Sequence, residues 1–213
     1  MMDNYGQHMF TPAVQAEQAE LGVAERYQKV YRNRFTGGLD ADATAFIESR
    51  TSFYVATVGE TGWPYVQHRG GPPGFLKVID TDTLGFADYV GNKQLISKGN
   101  LSGNDRVSLF LMDYPRRARL KIIGHARMVT ADADPDLAER LRQSPEDPIE
   151  RIATIRVTAF DWNCPKYITE RYTQDEVAAL VAPHLEARDE TIRRLAARLR
   201  ALGEDPDALL ASG

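Results

Sequence analysis

Gln67, His68 and Arg69 end a short alternating run, Trp63-Pro64-Tyr65-Val66-Gln67-His68-Arg69, which breaks abruptly into Gly70-Gly71-Pro72-Pro73-Gly74. Glycines at this density let backbone approach a flat ligand closely. His68 and Arg69, placed just before that opening, would set a switchable donor and a permanent cation beside an anionic or redox-active group. The plainer alternative is a surface hairpin, because strand ends carrying one charge are common.

A second stretch, Gly91-Asn92-Lys93-Gln94-Leu95-Ile96-Ser97, follows a strand-like run and leads into a short helix. Free backbone N–H groups and Lys93 would converge there where a phosphate can bind. A phosphate of about two negative charges would be held by the helix start, by Lys93 and by the amides of Asn92 and Gln94. An ordinary helix start with a solvated lysine is the competing explanation.

The elements that must position these residues follow from periodicity. Thr11-Pro12 reads as an N-cap with proline at the first helical position, opening a segment toward Tyr31 that Gly22 interrupts and Gly37-Gly38 closes. Ala24, Tyr27, Val30 and Tyr31 share one face of it, and a shorter helix from Asp42 to Glu48 turns Phe46 and Ile47 toward a core. From Ser52 the pattern alternates, with Phe53, Val55 and Thr57 on one side, then the Glu60-Thr61-Gly62 turn and the Trp63 run. Further strands are expected over Phe75 to Asp80, Leu84 to Tyr89, Arg106 to Met112, Arg119 to Thr130 and, after a helix near Pro135 to Arg142, Arg151 to Trp162. Short turns make them antiparallel neighbours able to close into a barrel. The expected fold is mainly β with peripheral helices, a six- to seven-stranded antiparallel split β-barrel. Residues 1–50 form an N-terminal helical arm, 51–168 the barrel and 169–213 a C-terminal helical extension.

Composition narrows the function classes. The 213 residues carry a net charge of −4 and 43% hydrophobic residues, which suits one sizeable core with appendages and argues against a broad nucleic-acid surface. A single cysteine, Cys164, excludes an internal disulfide framework, and no CxxC or HExxH sequence offers a metal site. Met1 to Phe10 lacks a basic region followed by an apolar run, and the longest strongly apolar run, Val107 to Met112, is far too short for a bilayer. The expectation is a cytoplasmic protein with neither membrane nor nucleic acid as partner.

Taken in order, the Pro64-to-Arg69 strand, Gly85-Phe86-Ala87-Asp88 leading to Gly91-Asn92-Lys93-Gln94, and Asn104-Asp105-Arg106-Val107-Ser108-Leu109-Phe110 resemble the pyridoxamine 5'-phosphate oxidase-like flavoproteins. The resemblance covers roughly Phe53 to Val129, with a weaker echo at Phe160-Asp161-Trp162-Asn163. It implies a split barrel that forms a homodimer and holds FMN in a groove at the subunit interface. On that resemblance Gln67, His68 and Arg69 contact the isoalloxazine or ribityl chain. Ala87 and Asp88 lie beside the flavin tail, and Asn92, Lys93 and Gln94 bind the phosphate. Arg119 falls where the family often places a polar residue against the flavin, and Trp162 and Asn163 match an aromatic-polar pair reaching it from the partner chain. A haem or a deazaflavin remains open as an occupant of the same groove.

Departures from the family pattern argue against vitamin B6 oxidation. Where the pyridoxal 5'-phosphate-forming oxidase has an arginine- and histidine-bearing segment, this chain reads Cys164-Pro165-Lys166-Tyr167-Ile168, and Ala131 to Pro148 lacks a matching Tyr, Arg and Ser set. No residue stands out as a covalent nucleophile. The functional expectation is an FMN-binding oxidoreductase that passes electrons, from NAD(P)H or another donor, to a small acceptor. A flavin carrier or sensor without efficient turnover is the alternative, and a barrel that has lost its ligand is the third.

The C-terminal tail lies outside the resemblance. Thr173-Gln174-Asp175-Glu176 is a capping box opening a helix that Pro183 kinks or divides. Leu185, Ile192, Leu195, Leu199 and Leu202 then form an apolar seam edged by arginines, expected to end at Gly203 and to pack on the barrel or a partner subunit.

Overall fold

The computed structural model describes residues 2–32, 37–162 and 165–210, which divide into two compact units, 1–168 and 169–213. The first unit is built on seven antiparallel strands: β1 (Ser52–Val58), β2 (Pro64–Gly70), β3 (Lys77–Val78), β4 (Thr83–Tyr89), β5 (Arg106–Asp113), β6 (Ala118–Thr130) and β7 (Ile149–Trp162). Their order across the sheet is β2-β1-β5-β6-β7-β4-β3. The expected mainly β, split-barrel fold is what forms, with helices at its periphery. The sheet is not closed, however: β2 and β3 each hydrogen-bond to one neighbour and remain edges. Seven strands without a last ladder curl around a core and leave its two lips apart.

Alternation explains the curl. Phe53, Val55 and Thr57 of β1, Val107, Leu109 and Leu111 of β5, and Leu120 and Ile122 of β6 are all buried and point to one side. Phe53 stands at the centre, with Phe75 stacked at 5.7 Å and Phe86 edge-on at 5.6 Å. The register between β6 and β7 shifts at Ile123/Gly124, and there a side chain at Gly124 would run into the backbone carbonyl of Arg156. Only glycine allows that approach.

The third strand is shorter than its alternation suggested. Of Phe75 to Asp80 only Lys77 and Val78 pair with β4, because Phe75 and Leu76 are drawn into the core instead. Two signals were correct at the N-terminus. Thr11 accepts from the Val14 N–H, and the helix is interrupted at Gly22, whose φ is +67°, between α2 (Pro12–Glu20) and α3 (Ala24–Arg32). A preceding helix, α1 (Tyr5–Met9), was not foreseen; Asn4 and Gln7 cap it reciprocally. Phe10 collects Tyr27 and Tyr31 edge-on at 5.8 and 4.8 Å.

The helix α4 (Ala41–Glu48) buries Ala43, Phe46 and Ile47 in the barrel core, so it serves as a plug for the sheet. α5 (Ile96–Gly103) lies between β4 and β5, and α6 (Pro135–Leu141), after a 3-10 turn at Ala131–Ala133, seals a smaller cluster with Ile152. The second unit holds α7 (Gln174–Ala201) and the short α8 (Pro206–Leu210). The Thr173 and Glu176 capping box forms as expected. Pro183 does not divide α7, which runs unbroken for 28 residues. Among the described residues no helix is long and apolar enough to cross a membrane.

Candidate functional site

Strand β2 has only one neighbour, and its inward-facing residues Tyr65, Gln67 and Arg69 are half-buried, not sealed into the core. They form one wall of a cleft of about 120 Å³. The opposite wall is the 91–98 segment, with Asp88 and Arg151 at the base.

Two hydrogen bonds hold α5 against the sheet. The Ser97 hydroxyl donates to Gln67 Oε1 at 2.6 Å, and the Asn100 side-chain amide donates to the Thr57 hydroxyl at 2.9 Å. The loop before the helix is forced to turn sharply. Lys93 and Leu95 both take left-handed backbone, at φ 59° and 57°, a conformation that costs non-glycine residues of order 1 kcal/mol. Asn92 stabilises the turn by accepting the Gln94 N–H at 3.1 Å. Leu95, as N-cap, gives α5 no side-chain acceptor, so the helix presents its first N–H groups without a side-chain cap. Strained backbone, uncapped donors and Lys93 and Lys98 line one concavity, an arrangement whose chemistry suits an anion.

At the base, Asp88 bridges two arginines. Arg69 Nη1 lies 2.5 Å from Asp88 Oδ1, and Arg151 Nε donates to Asp88 Oδ2 at 2.8 Å. Burial works to lower the Arg151 pKa, but the hydrogen bond and charge of Asp88, with Glu150 behind them, outweigh it and hold the guanidinium above its ordinary value. Arg69 also covers the Phe86 ring at 5.4 Å, and its Nε is buried with no hydrogen-bond partner among the described residues. Arg69, Lys93, Lys98 and Arg151 face one carboxylate, Asp88, so the cleft has a surplus of positive charge.

Of the residues singled out from sequence, Gln67, Arg69, Asp88, Asn92, Lys93 and Gln94 come together in this cleft. The others lie elsewhere in the chain. His68 points to the outer face of β2, edge-on to Tyr54 at 5.6 Å. Ala87 faces α6 and packs with the Leu141 cluster. Arg119 sits on the outer face of β6 with its guanidinium 5.8 Å from the Phe110 ring and a buried Nε that has no hydrogen-bond partner among the described residues. Trp162 packs edge-on to Phe46 at 4.8 Å. Asn163 lies outside the described residues, as does Cys164. Sequence reasoning passed over Tyr65, Ser97, Lys98 and Arg151. Tyr65 and Ser97 stand within the quoted stretches and Lys98 directly after one, whereas Arg151 enters through the β4–β7 register, which no local pattern announces. No cluster of three or more His, Cys, Asp or Glu side chains suited to a metal occurs among the described residues.

With this geometry in view, the family follows. The model of the pyridoxamine 5'-phosphate oxidase family matches residues 39–163, more than half of the chain, and the chain belongs to that family. No curated protein matches the sequence. Among solved structures, HupZ of Group A Streptococcus is similar at 16% identity and a TM-score of 0.48, over 62% of this chain and 99% of that one. A protein of Clostridium acetobutylicum related to general stress protein 26 of B. subtilis is 15% identical with a TM-score of 0.44, over 64% of this chain and 94% of that one. An FMN-binding protein of Syntrophomonas wolfei is 12% identical with a TM-score of 0.44, over 68% of this chain and 97% of that one.

Proposed function

We propose that this chain binds FMN in the β2/α5 cleft and acts as an oxidoreductase, passing electrons from a donor such as NAD(P)H to a small-molecule acceptor. The observation that carries this is the cleft itself. A phosphate-sized, cation-rich turn at residues 91–98 opens onto the polar inner face of β2 in a chain of the pyridoxamine 5'-phosphate oxidase family.

The donor set suits the ligand. Lys93, Lys98 and the uncapped start of α5 would hold the phosphate dianion through charge-assisted hydrogen bonds. Gln67, fixed by Ser97, and Arg69 would face the ribityl chain and ring, and the spare Nε of Arg69 offers one more donor. FMN, when bound, supplies the hydride and single-electron chemistry. A fixed guanidinium near the ring favours the negative charge that reduction builds there. Asp88 keeps the Arg69 side chain in place, and Phe86 beneath it excludes water.

The carrier or sensor alternative draws on a different observation. His68 lies on the outer face and Asp88 is engaged by two arginines, so among the described residues the cleft has no uncommitted imidazole or carboxylate for proton transfer.

A homodimer completes the proposal. Arg119, on the outer face with a spare donor, would meet the flavin of a second copy; Trp162 and Asn163 are assigned there by the family resemblance alone. Sedimentation of the flavin-saturated protein tests this part, and a monomer would be incompatible with an interface-built site.

The test of function is a visible spectrum of the purified protein before and after adding FMN, followed by anaerobic NADPH. A bound flavin band that bleaches supports the oxidoreductase. A bound band that never bleaches favours the carrier, and no bound flavin removes both.

A further inference from the structure

The helix α7 extends about 42 Å at the standard rise, and no described residue of its own unit covers its apolar seam. Leu185 is 45% exposed, Ile192 42%, Leu195 60% and Leu202 64%. These side chains, with Ala178, Val181 and the half-buried Leu199, recur at alternating spacings of three and four residues, interrupted by Arg188 alone. That spacing suits the seam of a helix pair. Pro183 occupies an outward position two residues from both Val181 and Leu185, so its ring does not face a partner.

The order of charges selects the occupant. Residues 174–190 carry Asp175, Glu176, Glu186, Asp189 and Glu190 against Arg188, and residues 191–201 carry Arg193, Arg194, Arg198 and Arg200 with no acid. The helix dipole favours acids at the start and bases at the end, but its influence fades beyond the terminal turns. Glu186, Asp189, Glu190, Arg193 and Arg194 lie in the middle turns, where it gives no reason for the segregation. Two such helices side by side in parallel set acid on acid and base on base; antiparallel about residue 190, the arginine-bearing stretch 193–200 faces residues 180–187, which carry Glu186 and neither Lys nor Arg.

The seam has the same symmetry. An antiparallel crossing centred on residue 190 sets Ala178 opposite Leu202, Val181 opposite Leu199, Leu185 opposite Leu195 and Arg188 opposite Ile192. Every apolar position finds an apolar counterpart except Ile192. Arg188 falls beside the crossing point, where Asp189 and Glu190 of the partner subunit lie. We propose that α7 is an assembly helix that pairs antiparallel with α7 of a second copy of this chain. This pairing is independent of flavin binding and holds whether or not the barrels themselves associate.

The test is disulfide trapping in the full-length protein. In a Cys164→Ser background, Leu185→Cys and Leu195→Cys chains bearing tags of different length are mixed at micromolar concentration, oxidised and resolved on a non-reducing gel. Ala197→Cys, an outward position, gives the background of chance collision. Antiparallel pairing predicts a 185–195 disulfide between the two chains several-fold above either self-disulfide and above the control. Dominant 185–185 and 195–195 products would mean parallel pairing and overturn the proposal. Cross-linking no greater than the Ala197→Cys control would overturn it too, leaving the barrel or a different protein as the occupant of the seam.

Discussion

Asp88 and Arg151 are direct cross-strand neighbours on β4 and β7, and the Arg151 Nε donates to Asp88 Oδ2 at 2.8 Å where both side chains are nearly sealed from water. The other Asp88 oxygen takes Arg69 from β2, the far edge of the sheet. One carboxylate thus joins two strands that share no backbone hydrogen bonds, and it holds the open lips of the barrel at a fixed separation. The cleft lies between β2 and the 91–98 segment that follows β4.

Replacing Asp88 by Ala leaves the half-buried Arg69 guanidinium and the buried Arg151 guanidinium without their shared acceptor. Breaking a buried pair from one side costs about 3 kcal/mol or more. A urea titration should show that loss in the unfolding midpoint, and an unchanged midpoint would mean that the bridge is dispensable to the lips.

Gly124→Ala meets backbone on the neighbouring strand, where the Arg156 carbonyl cannot swing aside as a side chain would. Overpacking of this kind costs about 3 kcal/mol. Thermal unfolding should register it, whereas Gly62→Ala, with open space around it, should show only the smaller strain of its positive φ.

Asp80 gives a pH dependence with a definite sign. The Asp82 N–H, donating at 2.9 Å, pulls the Asp80 carboxyl below its ordinary value, against a smaller opposing effect of burial, and Thr83 adds to the lowering. A depressed folded-state pKa stabilises the fold fully above the unfolded value and is lost as pH falls through the folded one. Asp80→Asn should therefore be less stable than the parent at neutral pH, and the difference should shrink on acidification below the ordinary carboxylate range. A difference that stays constant across that range would reject the assignment. The group is largely exposed, so the effect is small.

The strands were legible because alternation survives wherever one face is buried: Phe53, Val55 and Thr57 announce β1, and Val107, Leu109 and Leu111 announce β5. β3 was overdrawn because Phe75 and Leu76, apolar neighbours that suit a strand, are both consumed by the core after a turn. α1 was missed because its capping box is made by Asn4 and Gln7 in a segment with little apolar periodicity, whose Gly6 packs closely on Tyr31.

For the candidate site, what lay within one stretch of chain was visible and what depended on register was not. Asn92, Lys93 and Gln94 adjoin one another, and their role as a turn is written in Gly91-Asn92. Gln67 and Arg69 face inward while His68, between them, faces outward, a consequence of the two-residue strand period that applies directly to the motif. Arg151 lies 63 residues from Asp88 in sequence and reaches it only through the β4–β7 ladder.

The most direct measurement is a titration of the full-length protein with FMN, followed by quenching of flavin fluorescence, for the parent chain and for Lys93→Ala. FMN binding in this cleft predicts saturable binding at one flavin per chain, weakened by about 1.5 to 3 kcal/mol, tenfold or more in Kd, when the Lys93 phosphate contact is removed. Absence of saturable binding, or an identical Kd for the two proteins, would contradict it.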